Sequence, residues 1–220
     1  MVKATIVTFL LSTLLLSGKG NDFLSAMVAT STSRLELSQE LETLHASRVF
    51  VYALSTERLP GGMVWQVNCG GDTPRIKADL SRLQMDETLS LIINAFPQYR
   101  LHKENGVINL ILETGYPALL RTKLSSYQVD SAPTATVALG ILLNLPEFKE
   151  AASRLGLKPA LSFGGLSSLR EENITLSLTN VTVHEALNAI ARAHGRAIWN
   201  YTEFVECDGK KEYSIKFILQ

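Results

Sequence analysis

Cysteine is scarce in this chain of 220 residues: Cys69 and Cys207 are the only two. His45, His102 and His194 stand at no zinc-ligand spacing from one another or from either cysteine, so no metal or cofactor is expected. Charge of one sign is lacking too. Lys+Arg and Asp+Glu number 21 each, leaving no net field to attract nucleic acid or anionic lipid. No basic stripe with interleaved aromatics compensates locally, so nucleic acid is excluded as a partner. Long apolar runs are limited to residues 4–16, shorter than the roughly 20 that a membrane span needs. No segment is of low complexity.

Catalytic signatures are absent in the same way. Gly61-Gly62, Gly70-Gly71 and Gly164-Gly165 lack the Lys and Ser/Thr of a phosphate loop, and turns account for them. No Gly-x-Ser-x-Gly elbow occurs. His184-Glu185 begins like the zinc-protease helix motif, but Asn188 stands where the second His is required. His184 is therefore expected to face solvent in the first turn of a helix. Glu87 and Glu185 are expected to cap helix starts rather than to act as an acid–base pair. Trp65, Trp199 and Tyr201 read as strand packing rather than ligand contacts. The chain is read as non-enzymatic, with no catalytic residue.

What is present is a pattern that occurs twice. Ile174, Leu176 and Leu178 alternate with polar neighbours, the period of a half-buried strand. Asn180 follows as a turn residue. Thr182 and Glu185 have the spacing in which hydroxyl and carboxylate each satisfy an orphan amide at a helix start. Val183, Leu187, Ile190 and Ala191 form one apolar helix face, Gly195 ends the helix, and residues 197–201 read as a second strand. An ungapped offset of about 98 residues finds the same order earlier in the chain. It places Ile76 on Ile174, Leu80 on Leu178, Glu87 on Glu185, Leu89 on Leu187 and Ile92 on Ile190. Gln84 replaces Thr182, so the first helix start lacks the reciprocal cap.

The run LSLTNVTVHEALNAIARAHGRAIW resembles the short N-terminal domain of secretins and TonB-dependent receptors, with a strand, an Asn-Val-Thr turn and Glu-Ala-Leu opening the helix. The resemblance covers about 28 residues well and the first copy more loosely. All of its features are structural. After residue 220 no room remains for an outer-membrane barrel or a secretin pore. The resemblance therefore implies a binding or scaffold module making contacts with envelope proteins at the outer membrane. The rival reading is a small secreted hydrolase or inhibitor-like protein on a degenerate repeat.

In chain order, Met1-Val2-Lys3 and the apolar run read as a signal peptide within residues 1–29, implying a periplasmic or secreted protein with no membrane span after cleavage. A helix is expected over 35–54, capped by Ser33 or Ser38, and a strand over 64–69 after the break at Pro60-Gly61-Gly62. Residues 99–112 read as a hairpin turning at Asn105-Gly106. A short strand at 127–129 and helices at 134–143 and 147–155 follow, the last with Pro146 in its first turn. Residues 202–211 read as a polar excursion before the strand 213–219. The fold class is α+β, two pseudo-repeated strand–helix–strand modules with small sheets packed on helices. The modules span 34–114 and 146–220, joined by a connecting segment with a helix, 115–145. Tyr213, Ile215 and Phe217, on the last strand, are the candidate partner-binding residues, because nothing follows that strand to cover its edge. An oxidising compartment permits a Cys69–Cys207 bridge, and two buried thiols are the alternative.

Overall fold

The computed structural model describes residues 43–71, 75–80, 83–160 and 173–218. The signal peptide, the Ser33 and Ser38 caps, the Gly164-Gly165 loop and Leu219 lie outside these residues. The described part is α+β, with five helices and ten strands. The first half runs β1 (Thr43–His45), α1 (Ala46–Thr56), β2 (Gly61–Asn68), β3 (Arg75–Lys77), α2 (Met85–Ala95), β4 (Tyr99–Glu104) and β5 (Val107–Leu112). The second runs β6 (Lys123–Ala132), α3 (Ala135–Leu143), α4 (Pro146–Arg154), β7 (Leu157–Pro159), β8 (Ile174–Thr182), α5 (Val183–His194), β9 (Ile198–Val205) and β10 (Lys211–Ile218). No helix among the described residues is long and apolar enough to cross a membrane.

The two halves have the same strand pairing. In the first, β1 pairs with β3, β4 pairs antiparallel with β5, and β5 lies parallel to β2. In the second, β6 pairs with β8, β9 pairs antiparallel with β10, and β10 lies parallel to β7. Each half thus makes a two-stranded ribbon and a three-stranded sheet. The segment 115–145 does more than connect, since it supplies β6 and α3 to the second half. The halves then join edge to edge. β2 runs parallel to β9 over the whole of Gly61–Asn68, giving one six-stranded sheet in the order β4-β5-β2-β9-β10-β7. Both belong to one compact unit, Thr43–Gln220.

The sheet separates two apolar cores. Met63, Trp65, Tyr99, Leu110 and Ile198 face α1 and α2, whose Val49, Phe50, Leu54, Leu89 and Ile92 are buried against them. Val64, Ile111, Trp199, Tyr201, Tyr213, Ile215 and Phe217 face the other way, toward α3, α4, α5 and the β6–β8 ribbon. Leu89 and Leu187, the equivalent core positions of the repeat, are 3% and 0% exposed. Each therefore seals a different core.

Several local expectations are met for the physical reasons given. Asn105 and Gly106 both take positive φ, as the two-residue hairpin requires. Pro146 opens α4, and Thr134 caps α3 by accepting from the Val137 amide at 3.2 Å. Others are corrected. Leu44 does not belong to a helix: it pairs with Ile76 in the β1–β3 ribbon, and α1 starts at Ala46, capped by His45, whose Nδ1 accepts from the Ser47 amide. Gly61 and Gly62 are strand residues, because the sheet packs too closely there for a side chain. A Cβ on Gly62 would overlap the Trp199 ring and Asn109 Oδ1. Asn180 does not reverse the chain; it sits at φ 52° inside β8, which continues to Thr182. The polar excursion shrinks to a tip beyond Val205, since residues 202–205 pair with Lys211–Ser214.

The open edge expected of β10 is covered at its start, Lys211–Tyr213. β10 is flanked by β9 along its length and by β7 at Lys211–Tyr213, and Ala160 adds a hydrogen bond to the Tyr213 carbonyl. Tyr213, Ile215 and Phe217 point into the second core at 8–9% exposure, so their side chains cannot form a partner surface. Cys69 and Cys207 are joined as a disulfide. Cys69 follows the last residue of β2 and Cys207 lies in the β9–β10 tip, so the bridge crosses the junction of the two halves.

Candidate functional site

The densest polar constellation lies where α5 of the second half meets the β4–β5 hairpin of the first. α5 starts where its sequence predicts. The Thr182 amide donates to Glu185 Oε2 at 2.6 Å, and the Thr182 hydroxyl donates to the same oxygen at 2.7 Å. The Glu185 amide donates back to Thr182 Oγ1 at 3.4 Å. These bonds hold the Glu185 carboxyl below its ordinary value. The first helix start does not lack the reciprocal cap: Glu87 Oε2 accepts from the Gln84 amide at 2.9 Å, and the Gln84 side chain takes the place of the Thr hydroxyl opposite the Glu87 amide.

This cap fixes His184, which does not face solvent. Its ring stacks on Tyr116 with centroids 4.0 Å apart and planes 18° from parallel. Its Nδ1 lies 2.9 Å from Thr182 Oγ1 and 3.3 Å from the Leu120 carbonyl. The Thr182 proton is engaged by Glu185, and a carbonyl can only accept, so Nδ1 carries the imidazole hydrogen. Nε2 then points at Glu104 Oε2, 3.8 Å away on β4. Burial pushes the His184 pKa down, and Glu104 and the Leu120 carbonyl oppose that shift.

Asn188, one turn along α5, completes the contact. Its Nδ2 donates to Glu104 Oε2 at 3.3 Å, and its Oδ1 accepts from Trp199 Nε1 at 2.8 Å. Arg192 reaches the Asn105 carbonyl at 3.4 Å. Asn109, fully buried on β5, has no hydrogen-bond partner among the described residues for either amide atom, whereas the Tyr116 hydroxyl has the Asn188 side chain as a partner. Burial pushes the Tyr116 pKa well up, so it stays a neutral phenol. Glu104, His184 and Glu185 each bring a ligand-capable atom within 4.8 Å of the others.

The i, i+4 spacing of His184 and Asn188 was a readable sign that they share a helix face. Glu104 was not readable as their partner. It lies 84 residues from Asn188 and in the other copy of the repeat. Away from this cluster, an open groove of about 480 Å³ lies at the far end of β2 and β9, lined by Val67, Cys69, Phe204, Glu206 and Glu212. The Tyr213–Ile215–Phe217 row, the other sequence-derived candidate, belongs to the core. Comparisons with profiles of known protein families, with curated proteins and with solved structures find no match to this chain.

Proposed function

We propose that the protein is a non-catalytic binding or scaffold module of the periplasmic side of the bacterial outer membrane, acting through contacts with envelope proteins. The resemblance of residues 174–201 to the short N-terminal domain of secretins and TonB-dependent receptors motivates this reading, together with the signal-peptide pattern of residues 1–29. The observation that carries it is the edge of the six-stranded sheet at β4, which among the described residues is paired on one side only, by β5. An unpaired strand side offers amides and carbonyls to an incoming chain. Leu101 adds exposed apolar surface on that strand.

The rival hydrolase reading would run through Thr182, His184 and Glu104, which stand in line. The Thr182 hydroxyl, however, is engaged in the helix cap on both its donor and its acceptor side. The binding reading is therefore preferred. A photo-cross-linker at Leu101, on the β4 edge, tests it against one at Val137, an exposed apolar position on α3. In envelope extracts, discrete adducts from position 101 and none from 137 are expected. Equal labelling from both, or none from 101, would remove β4 as the interface.

A further inference from the structure

We propose that Glu104, His184 and Glu185 form a binding site for a divalent transition-metal ion that clamps the two halves together. Nδ1 of His184 donates toward Thr182 Oγ1 and the Leu120 carbonyl, so the neutral ring turns a lone pair toward Glu104. A lone pair facing a carboxylate is unfavourable unless a proton or a metal cation stands between them. The 3.8 Å separation is too long for a hydrogen bond. It fits two atoms on one ion, since Zn–N and Zn–O distances of about 2.0–2.2 Å put tetrahedral ligands roughly 3.4 Å apart. The His184–Glu104 pair needs a movement of only a few tenths of an ångström, and Glu185 stands within 4.8 Å of both.

The surroundings have the form that metal sites use. A ligating histidine is oriented by its second nitrogen bonding to a backbone carbonyl or hydroxyl, as Leu120 and Thr182 do here. A ligating carboxylate is held by a further donor, as Asn188 holds Glu104, and Asn188 is itself fixed by Trp199. Glu185 keeps Oε2 on the cap and has Oε1 left for the ion. Beneath α5, the Asn109 amide of β5 is completely buried with neither atom partnered among the described residues, an unmet demand that a polar guest would answer. One imidazole and two carboxylates suit Zn2+ with a fourth position for water. Because Glu104 comes from β4 and the other two ligands from α5, an ion there ties the first half to the second.

The test uses the full chain after dialysis against EDTA, titrated with Zn2+ by calorimetry and by thermal unfolding. A saturable site and a melting midpoint that climbs with Zn2+ concentration are expected. Glu104→Gln keeps an acceptor for Asn188, and with His184→Gln it should weaken binding on the order of 100-fold. His45→Asn, remote from the cluster, should bind as the parent does. Should either variant fail to fold, the histidine 15N spectrum of the unmodified chain decides, since Zn2+ should move His184 Nε2 and leave His45 in place. Absence of heat and of any midpoint shift in the folded parent would overturn the site. So would parent-like affinity in both variants, or a His184 resonance indifferent to Zn2+; a shift produced by acid alone would mean that the position holds only a proton.

Discussion

The sharpest prediction concerns the Cys69–Cys207 bridge. It closes a segment of 138 residues, the greater part of the described chain. In the native state the bridge adds little restraint of its own, because Asn68 and Val205 already face each other across the β2–β9 pairing just before the cysteines. Its effect falls on the unfolded chain, whose ends it holds together. Chain-entropy scaling gives about 5 kcal/mol for a loop of this length, toward the upper end of what native disulfides supply. Net stability of a domain is about 5–15 kcal/mol, so reduction should remove a large share of it.

The assay is urea unfolding with and without reductant, alongside a Cys69→Ser/Cys207→Ser variant. With a slope near 2 kcal/mol per molar urea, the midpoint should fall by roughly 2.5 M on reduction, and the variant should match the reduced parent. Circular dichroism before the transition should be unchanged, since no strand pairing depends on the bridge. Titration of the unfolded, non-reduced protein should find no free thiol. Two free thiols would exclude the bridge. A midpoint shift under about 0.5 M would show that the unfolded chain does not gain the freedom the argument assumes.

The remaining predictions probe the two cores and a titrating cap. Leu89→Ala and Leu187→Ala should each cost about 2–5 kcal/mol, because both side chains are buried; unchanged melting in both would break the repeat alignment. Burial, reinforced by Arg75 and Arg48, holds the His45 pKa below 6.5. A lowered folded value means that the unfolded chain binds the proton more readily. The contribution is complete above the ordinary histidine value and is lost as pH falls through the folded one. His45→Asn keeps a side-chain acceptor for the Ser47 amide and removes this titration, so the stability loss between about pH 7.5 and about pH 5 should shrink. An identical loss in the variant would assign the pH dependence elsewhere.

Much of this fold was legible because its signals are local. The Thr182–Glu185 cap, the Val183–Leu187–Ile190 face, the Asn105-Gly106 turn and Pro146 at a helix start each need only a few neighbouring residues to act. What escaped depends on residues far apart in sequence. Gly61-Gly62 looks like a break until Trp199 is seen lying against it from the other half. Leu44 continues an apolar helical stripe until Ile76 claims it for a ribbon. His184 sits at an ordinary first-turn position, and only the fold brings Tyr116 over its ring and Glu104 to its Nε2. The candidate site was half visible, as a motif on α5 with its second ligand missing, and the missing part came from the other copy.

The difference between the copies follows from where they join. β4 and β9 are the first strands of equivalent hairpins, yet their sequences diverge, YRLHKE against IWNYTEFV. β9 pairs with β2 on one side and β10 on the other, so Ile198, Trp199, Asn200 and Tyr201 are all buried, and an apolar strand is stable there. β4 ends the sheet, so Arg100 and Lys103 stay exposed, charges of the kind that keep a sheet edge from pairing indiscriminately. The same asymmetry makes the polar cluster single. Asp86, Glu87 and Ser90 occupy in α2 the places of His184, Glu185 and Asn188 in α5. α5 lies across β2 and β5 of the other copy, so Glu104 at the end of β4 comes within reach of its His184 and Asn188. Two halves of like strand pairing, joined head to tail by the parallel pairing of β2 with β9, thus differ in what each gathers, and only α5 has His184 and Asn188 opposite Glu104.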